Sequence, residues 1–180
     1  MKQIGLETAT RIRDIAVKNG KTVSTAESCT SGQIAALLTS VSGSSNYFQG
    51  GLVAYQDSVK IKFLSVSEDD IRTYDVVSRQ VAEQMVRGAC RLFGTDYALA
   101  STGYADGGNG TIPSGTIWIA WGSADDVYSL CLTDDNGRTA NTHNAALCAI
   151  GKFLDYISLE ADKKEQVISA RPACVYTGKP

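Results

Sequence analysis

The 180-residue chain has a single histidine, and its cysteines lack the paired spacing that a zinc site requires. A metal-dependent mechanism is therefore disfavoured, and we expect neither a metal nor another cofactor. The five cysteines are odd in number and scattered, at positions 29, 90, 131, 148 and 174. Scattered cysteines are typical of a reducing compartment, so we expect a cytoplasmic protein.

Long apolar runs and clusters of basic residues are also missing. No apolar stretch approaches the roughly 20 residues that a membrane-spanning helix needs, and the first residues predict an amphipathic helix instead of a signal sequence. The formal net charge is −2, which argues against a nucleic-acid binder held by phosphate contacts. These absences leave a small-molecule substrate as the expected partner, with no nucleic acid and no membrane.

The patterns that are present alternate between strand and helix. Short β-branched or apolar runs predict strands at 22–26, 47–55, 97–101, 116–121 and 127–132. Helical spacing of apolar residues predicts the main helices at 3–19, 30–41, 57–64, 78–93 and 139–158. Asp57 is the candidate cap of the helix at 57–64, and Ser78 starts and caps the helix at 78–93. This alternation predicts an α/β fold, a three-layer α/β/α sandwich with a mixed sheet of about five strands. We expect one domain over 1–158 and a loosely attached polar extension over 159–180.

The junction between the first strand and the second helix is the most informative stretch. Small hydroxyl residues fill it, and Thr30 followed by Gln33 has the spacing of a capping box, which predicts a helix start near Thr30. One interpretation is that these hydroxyl groups only cap the helix. They can also form an anion site beside free backbone N–H groups, or supply a serine nucleophile.

Three polar loops, 27–32, 55–60 and 102–110, each follow a predicted strand. Ligands of open α/β sheets collect outside the carboxyl ends of the strands, so these loops are candidates for one shared site. A further turn at 42–45 contains Ser44, and Ser45 ends it. We interpret it mainly as a turn, although its hydroxyl and backbone groups are also able to hold an anion.

Several segments together resemble one known family. Residues 26–32 are similar to the AESCTGG segment of the CinA C-terminal-domain family, the nicotinamide-nucleotide amidohydrolases, and residues 53–60 resemble its VAYSNEAK segment. Residues 43–51 resemble its GSS…F.GG pattern, and residues 101–105 with 114–118 resemble its TGIAGP…VGTVW pair. The likeness runs in order over about 5–157, which makes it more specific than any single motif.

The resemblance implies hydrolysis of the carboxamide of nicotinamide mononucleotide to nicotinate mononucleotide and ammonia, without a metal, in a homodimer. By motif position Ser28 would be the nucleophile and Lys60 its general base, with Tyr55 as a third catalytic residue close by. Backbone N–H groups at the start of the second helix would hold the oxyanion or the phosphate. The substrate-binding residues would be Glu27, Cys29, Thr30, Ser31, Gly32, Ser44, Ser45, Thr102, Gly103, Ala105, Gly115 and Arg138.

Two of these roles have rivals. Lysines usually lie on the solvated surface, and only the motif favours Lys60 as a base. Cys29, next to the expected nucleophile, is an alternative nucleophile, because helix N-termini also activate cysteine.

The chain departs from the family pattern in the loops expected to bind substrate. Tyr104 and Asp106 replace an aliphatic residue and a glycine, and Thr142 stands where the family has an arginine. An added anion and a lost cation both predict weak binding of nicotinamide mononucleotide. The alternatives are an amidohydrolase for another small amide, a non-catalytic paralogue that binds a nucleotide or a protein, or an interaction protein linked to competence or DNA damage.

Overall fold

A computed structural model describes residues 2–169 of the chain. Within that range the strands are β1 Val23–Glu27, β2 Phe48–Val53, β3 Tyr97–Gly103, β4 Ile117–Gly122 and β5 Val127–Leu132. The α-helices are α1 Lys2–Lys18, α2 Gln33–Leu38, α3 Asp57–Leu64, α4 Glu68–Tyr74, α5 Arg79–Phe93 and α6 Arg138–Ser169, and Ser44–Asn46 form one 3₁₀ turn.

The five strands form one mixed sheet in the order β2-β1-β3-β4-β5. β1 pairs in parallel with both β2 and β3, whereas β3–β4 and β4–β5 are antiparallel. The predicted three-layer sandwich with a mixed sheet is therefore confirmed. Because β1, β2 and β3 point the same way, the loops that follow them emerge at the same edge of the sheet.

Each face of the sheet carries its own hydrophobic core. On one face α1, α2 and α6 pack around Phe153, Ile119 and Leu99. On the other face α5 packs against the sheet. Its buried residues Met85 and Val86 form a second hydrophobic cluster with Leu64 of α3. All five residues of β1 are buried, and the strand lies between these two cores. Its last residue, Glu27, lies at the edge of the sheet from which the three loops emerge.

Two helix starts differ from the expectation. α2 begins at Gln33, after Gly32, which has a φ of 94° and no side-chain capping bond, so the predicted capping box at Thr30 is wrong. α3 begins at Asp57 itself and has Gln56 as its N-cap, so Asp57 is not the cap. The cap predicted at the start of α5 is confirmed, because Ser78 Oγ accepts the Val81 N–H.

The last helix is longer than its predicted range of 139–158. α6 continues without a break to Ser169, so the domain boundary expected after residue 158 falls inside a helix. The remainder of the expected extension, 170–180, lies outside the described residues. Although α6 has 32 residues, none of the helices between residues 2 and 169 combines the length and hydropathy of a bilayer span.

Candidate active site

A cavity of about 210 Å³ opens where the loops after β1, β2 and β3 meet. The structure thus brings the three polar loops predicted from the sequence to one place. The helix start of α6 closes one side. The lining residues are Ser28, Cys29, Tyr55, Asp57, Lys60, Val76, Val77, Thr102, Gly103, Tyr104, Ala105, Asp106 and Arg138.

Ser28 is the first residue after β1 and is held by backbone contacts on both sides. Its N–H donates to the Ser101 carbonyl of the neighbouring β3 at 2.9 Å, which continues the parallel ladder by one residue. Its carbonyl accepts the Ser31 N–H at 3.1 Å, in a turn where Ser31 has a φ of 52°. The residue is 8% exposed and lines the cavity, so it is accessible to a bound ligand.

Glu27 is a buried helix cap and does not line the cavity. Its carboxylate accepts the backbone N–H groups of Gly32, Ile34 and Ala35 at 2.8–3.0 Å, and the Thr30 hydroxyl at 2.6 Å. The expected oxyanion or phosphate site at the α2 N-terminus is therefore wrong, because an internal carboxylate already occupies those N–H groups. A carboxylate there also complements the positive end of the helix dipole.

Lys60 is buried, with 1% of the residue exposed, because α3 packs closely on α5. The approach requires Gly88, where a Cβ atom would lie 2.2 Å from the Leu64 carbonyl oxygen. Lys60 and Leu64 are four residues apart and share the inner face of α3. The interpretation of Lys60 as a solvated surface lysine is thus wrong.

Burial lowers the pKa of Lys60, and the Asp57 carboxylate partly opposes this by favouring the charged form. Lys60 Nζ donates to Asp57 Oδ1 and to the Tyr55 carbonyl, both at 3.3 Å. Within residues 2–169 no hydrogen bond joins Lys60 to Ser28, although both line the cavity. Catalytic hydrogen bonds often form only when the substrate is bound.

Cys29 also lines the cavity, but its thiol is a poor nucleophile. Burial raises its pKa to about 11, and the Glu27 carboxylate adds to the rise, although a hydrogen bond with Ser101 lowers it. A thiol with that pKa is almost entirely protonated at neutral pH, and only the thiolate attacks carbonyl carbon. The structure therefore favours Ser28 over Cys29.

Arg138 joins three parts of the cavity wall. Its guanidinium donates to Asp106 Oδ1 at 2.6 Å and to Tyr55 Oη at 2.8 Å. The contact with Asp106 raises the pKa of Arg138 further, so its charge is permanent. The arginine at the start of α6 is thereby connected to the loops after β2 and β3.

Other residues expected at the site lie elsewhere. Ser44 and Ser45 precede β2, in the turn whose Tyr47 carbonyl accepts the N–H of Val23 at the start of β1, so β1 separates them from Ser28. A five-residue strand spans about 16 Å. Strand direction explains the difference, since segments that precede parallel strands lie at the opposite edge of the sheet.

Four further expected residues support the turn or a neighbouring loop. Thr30, Ser31 and Gly32 form the turn between Ser28 and α2 without lining the cavity. Gly115 lines a different cavity, although its N–H donates to the Tyr104 carbonyl. Thr142 is buried against α2, where Gln33 donates to its hydroxyl, so the lost arginine match does not face the cavity.

The structure adds residues that the sequence did not single out. Val76 and Val77 give the cavity an apolar wall just before α5. Of the added residues, only Val76 and Val77 had a recognisable signal in the sequence, because they are two adjacent apolar residues directly before the N-cap of α5.

Two hydrogen-bonded groups that the sequence did not single out hold the loop after β3. Asn141 of α6 donates to the Ala105 carbonyl at 2.8 Å and to Asp135. Asp75 accepts the Tyr104 hydroxyl.

Comparison with known proteins identifies similar chains of this architecture. The family model described as the CinA C-terminal domain matches residues 6–157. The nicotinamide-nucleotide amidohydrolase PncC of Pseudomonas putida is 38% identical over 148 residues, covering 81% of this chain and 92% of that protein. The crystal structure of competence/damage inducible protein CihA from Agrobacterium tumefaciens has a TM-score of 0.81 at 34% identity, over 86% of this chain and 96% of that one.

Other similar proteins are longer. A CinA-like protein of Rippkaea orientalis is 46% identical over 104 residues, which is 57% of this chain but 25% of that protein. The chain spans between 25% and 36% of the length of this and three other such relatives.

Proposed function

Because the chain belongs to the CinA C-terminal domain family, we propose that it is a metal-independent amidohydrolase that acts on nicotinamide mononucleotide or a related small carboxamide. The observation that supports this most is that a buried lysine of lowered pKa and a serine line the same cavity. A lysine whose pKa is lowered by burial loses its proton more readily than a solvated one, which suits it to act as the base for a serine nucleophile. A similar protein of nearly the same length carries the amidohydrolase name. A homodimer remains the expected assembly.

In the proposed mechanism neutral Lys60 accepts the proton of Ser28 Oγ as that oxygen attacks the amide carbonyl carbon. The Lys60 ammonium then protonates the amide nitrogen, and the C–N bond breaks to release ammonia and leave an ester on Ser28. Water attacks the ester while Lys60 takes its proton. Return of that proton to Ser28 Oγ releases the carboxylic acid and restores the enzyme.

The developing oxyanion needs donors other than the α2 N-terminus, which Glu27 occupies. The Ala105 N–H is the candidate, because Ala105 lines the cavity and no acceptor for this group is found within residues 2–169. The hydrogen bond from Asn141 to the Ala105 carbonyl fixes that peptide segment. A preorganised backbone donor of this kind stabilises charge that develops on the carbonyl oxygen.

Ammonia release tests the proposal directly. The full chain is incubated with nicotinamide mononucleotide, nicotinamide riboside and free nicotinamide, and ammonia and the acid product are quantified together. Equal amounts of both from at least one amide support the proposal. No ammonia from any of the three, with ligand binding retained, would instead favour a non-catalytic binding protein.

The pH dependence of kcat/KM is expected to have a rising limb set by Lys60. Below its lowered pKa the ammonium has no lone pair to accept the Ser28 proton, so activity rises as pH increases through that pKa. Asp57→Asn removes the carboxylate that favours the charged lysine, and the limb should move to lower pH. A limb that stays in place, or moves upward, would contradict the assignment of the base.

Cys29→Ser is expected to retain most of the activity, within about threefold, because the protonated thiol takes no part in the attack. The wild-type enzyme should also react slowly with iodoacetamide at pH 7, with a rate that increases toward pH 11. Loss of activity in Cys29→Ser, together with substrate protection against alkylation, would transfer the nucleophile to Cys29.

A further inference from the structure

Each cation among the residues that line the cavity is matched by a carboxylate. The carboxylates are Asp57 and Asp106, and a third, Asp75, accepts the hydroxyl of the lining residue Tyr104 at 3.2 Å. Burial and the neighbouring carboxylate of Asp75 raise the pKa of Tyr104, and Asp57 contributes in the same direction. The Tyr104 phenol therefore stays neutral in a negative environment.

Both cations at the cavity already have partners. Lys60 is paired with Asp57, and it must be neutral when it accepts the serine proton. The Arg138 guanidinium is held by Asp106 at 2.6 Å and by the Tyr55 hydroxyl at 2.8 Å. A phosphate that approached Arg138 would have to displace the Asp106 carboxylate or lie next to it. Like charges at such short separation repel, most strongly in a partly enclosed site.

The aromatic side chains at the cavity favour a positively charged ligand. Tyr55 and Tyr104 line it, and the face of a phenol ring attracts a cation. A nicotinamide ring joined to ribose is a pyridinium cation, and without a phosphate the whole molecule remains positive. The carboxylates and the aromatic ring faces of the cavity attract a cation of this kind. Its binding does not require an unpaired arginine.

We propose that this cavity selects carboxamides that are neutral or cationic and lack a phosphate, and that Asp106 determines this specificity by neutralising Arg138. The inference rests on the amidohydrolase function proposed above, whose substrate class it narrows. It assigns to Asp106 a role in substrate choice and none in the chemical step.

The test compares kcat/KM for nicotinamide riboside and nicotinamide mononucleotide, two amides that differ only in the phosphate. The wild-type enzyme should prefer the riboside by at least about tenfold, which corresponds to roughly 1.4 kcal/mol. Asp106→Asn keeps the side-chain size and frees Arg138, so the preference should fall about tenfold, mainly through a lower KM for the mononucleotide. The pH profile for the riboside should keep its rising limb, because Lys60 and Asp57 are unchanged.

The matched control is Asp125→Asn, which makes the same change of charge at an exposed position between β4 and β5. Its preference should equal that of the wild-type enzyme. A wild-type preference for the mononucleotide, or an unchanged preference in Asp106→Asn, would overturn the role of Asp106.

Calorimetric titration with the same two amides separates this inference from the proposed function. Tighter binding of the riboside without ammonia release would refute the amidohydrolase and support the charge selection. Ammonia release with tighter binding of the mononucleotide would support the amidohydrolase and refute the charge selection.

Discussion

Replacement of Ser28 by alanine is expected to lower kcat/KM for the best amide substrate by about 10³-fold or more. Lys60→Met should cause a loss of similar size, because the hydroxyl is a weak nucleophile without its base. The double variant should be little worse than either single variant, since the two groups act in one step. Losses that multiply, or a Ser28→Ala enzyme close to the wild-type rate, would contradict the pair.

The loss in Lys60→Met should not come from unfolding. The folded pKa of Lys60 lies below the usual 10.5, so between these two values the unfolded chain binds more protons and wild-type stability rises with pH. Methionine has no charge to bury, and the half-exposed Asp57 remains hydrated, so Lys60→Met should melt no lower than the wild type at pH 7. Lys62→Met, at an exposed position of the same helix, is the control and should keep full activity.

The sheet and its principal helices could be predicted because their signals are local. Burial of one helix face or one strand depends on the spacing of apolar residues within a short window, as in α5, where Val81, Met85 and Ala89 lie on one buried stripe. The meeting of the three loops also followed from a general rule, that ligands collect at the carboxyl ends of parallel strands.

Contacts between distant residues could not be predicted in this way. Asp106 and Arg138 are 32 positions apart, and only the paired strands and the start of α6 bring them together. Ser44 and Ser45 matched a family segment, but a motif does not report at which edge of the sheet its residues emerge. For α6, the polar composition after residue 158 suggested a separate extension, whereas a solvated helix tolerates the same composition.

The capping of α2 illustrates a pattern that has two structural solutions. Thr30 and Gln33 have the spacing of a capping box, in which the threonine would accept a backbone N–H. In the structure the Thr30 hydroxyl donates to Glu27 and lies within hydrogen-bond distance of Ser101 Oγ. Glu27 is the last residue of β1, and its side chain reaches forward to the helix. A charged acceptor with several donors replaces the weaker hydroxyl cap.

Glu27→Ala is consequently expected to lower the free energy of unfolding by about 3 kcal/mol or more. The change leaves three backbone N–H groups at the start of α2 and the Thr30 hydroxyl without their buried acceptor. Glu27→Gln should fall between alanine and wild type, because the amide keeps one acceptor oxygen but presents an NH₂ group to the same donors. Urea unfolding followed by circular dichroism measures all three proteins.

Glu68→Ala is the matched control, since Glu68 also lies in the first turn of a helix, α4, but is exposed. Its loss should be only about 0.3–1 kcal/mol, the usual value for a solvated carboxylate at the positive end of a helix. Equal losses in the Glu27 and Glu68 variants would mean that Glu27 acts only through the helix dipole. A much larger loss at Glu27 requires the buried hydrogen bonds, and it would assign this carboxylate to the framework that holds Ser28 instead of to the binding of substrate.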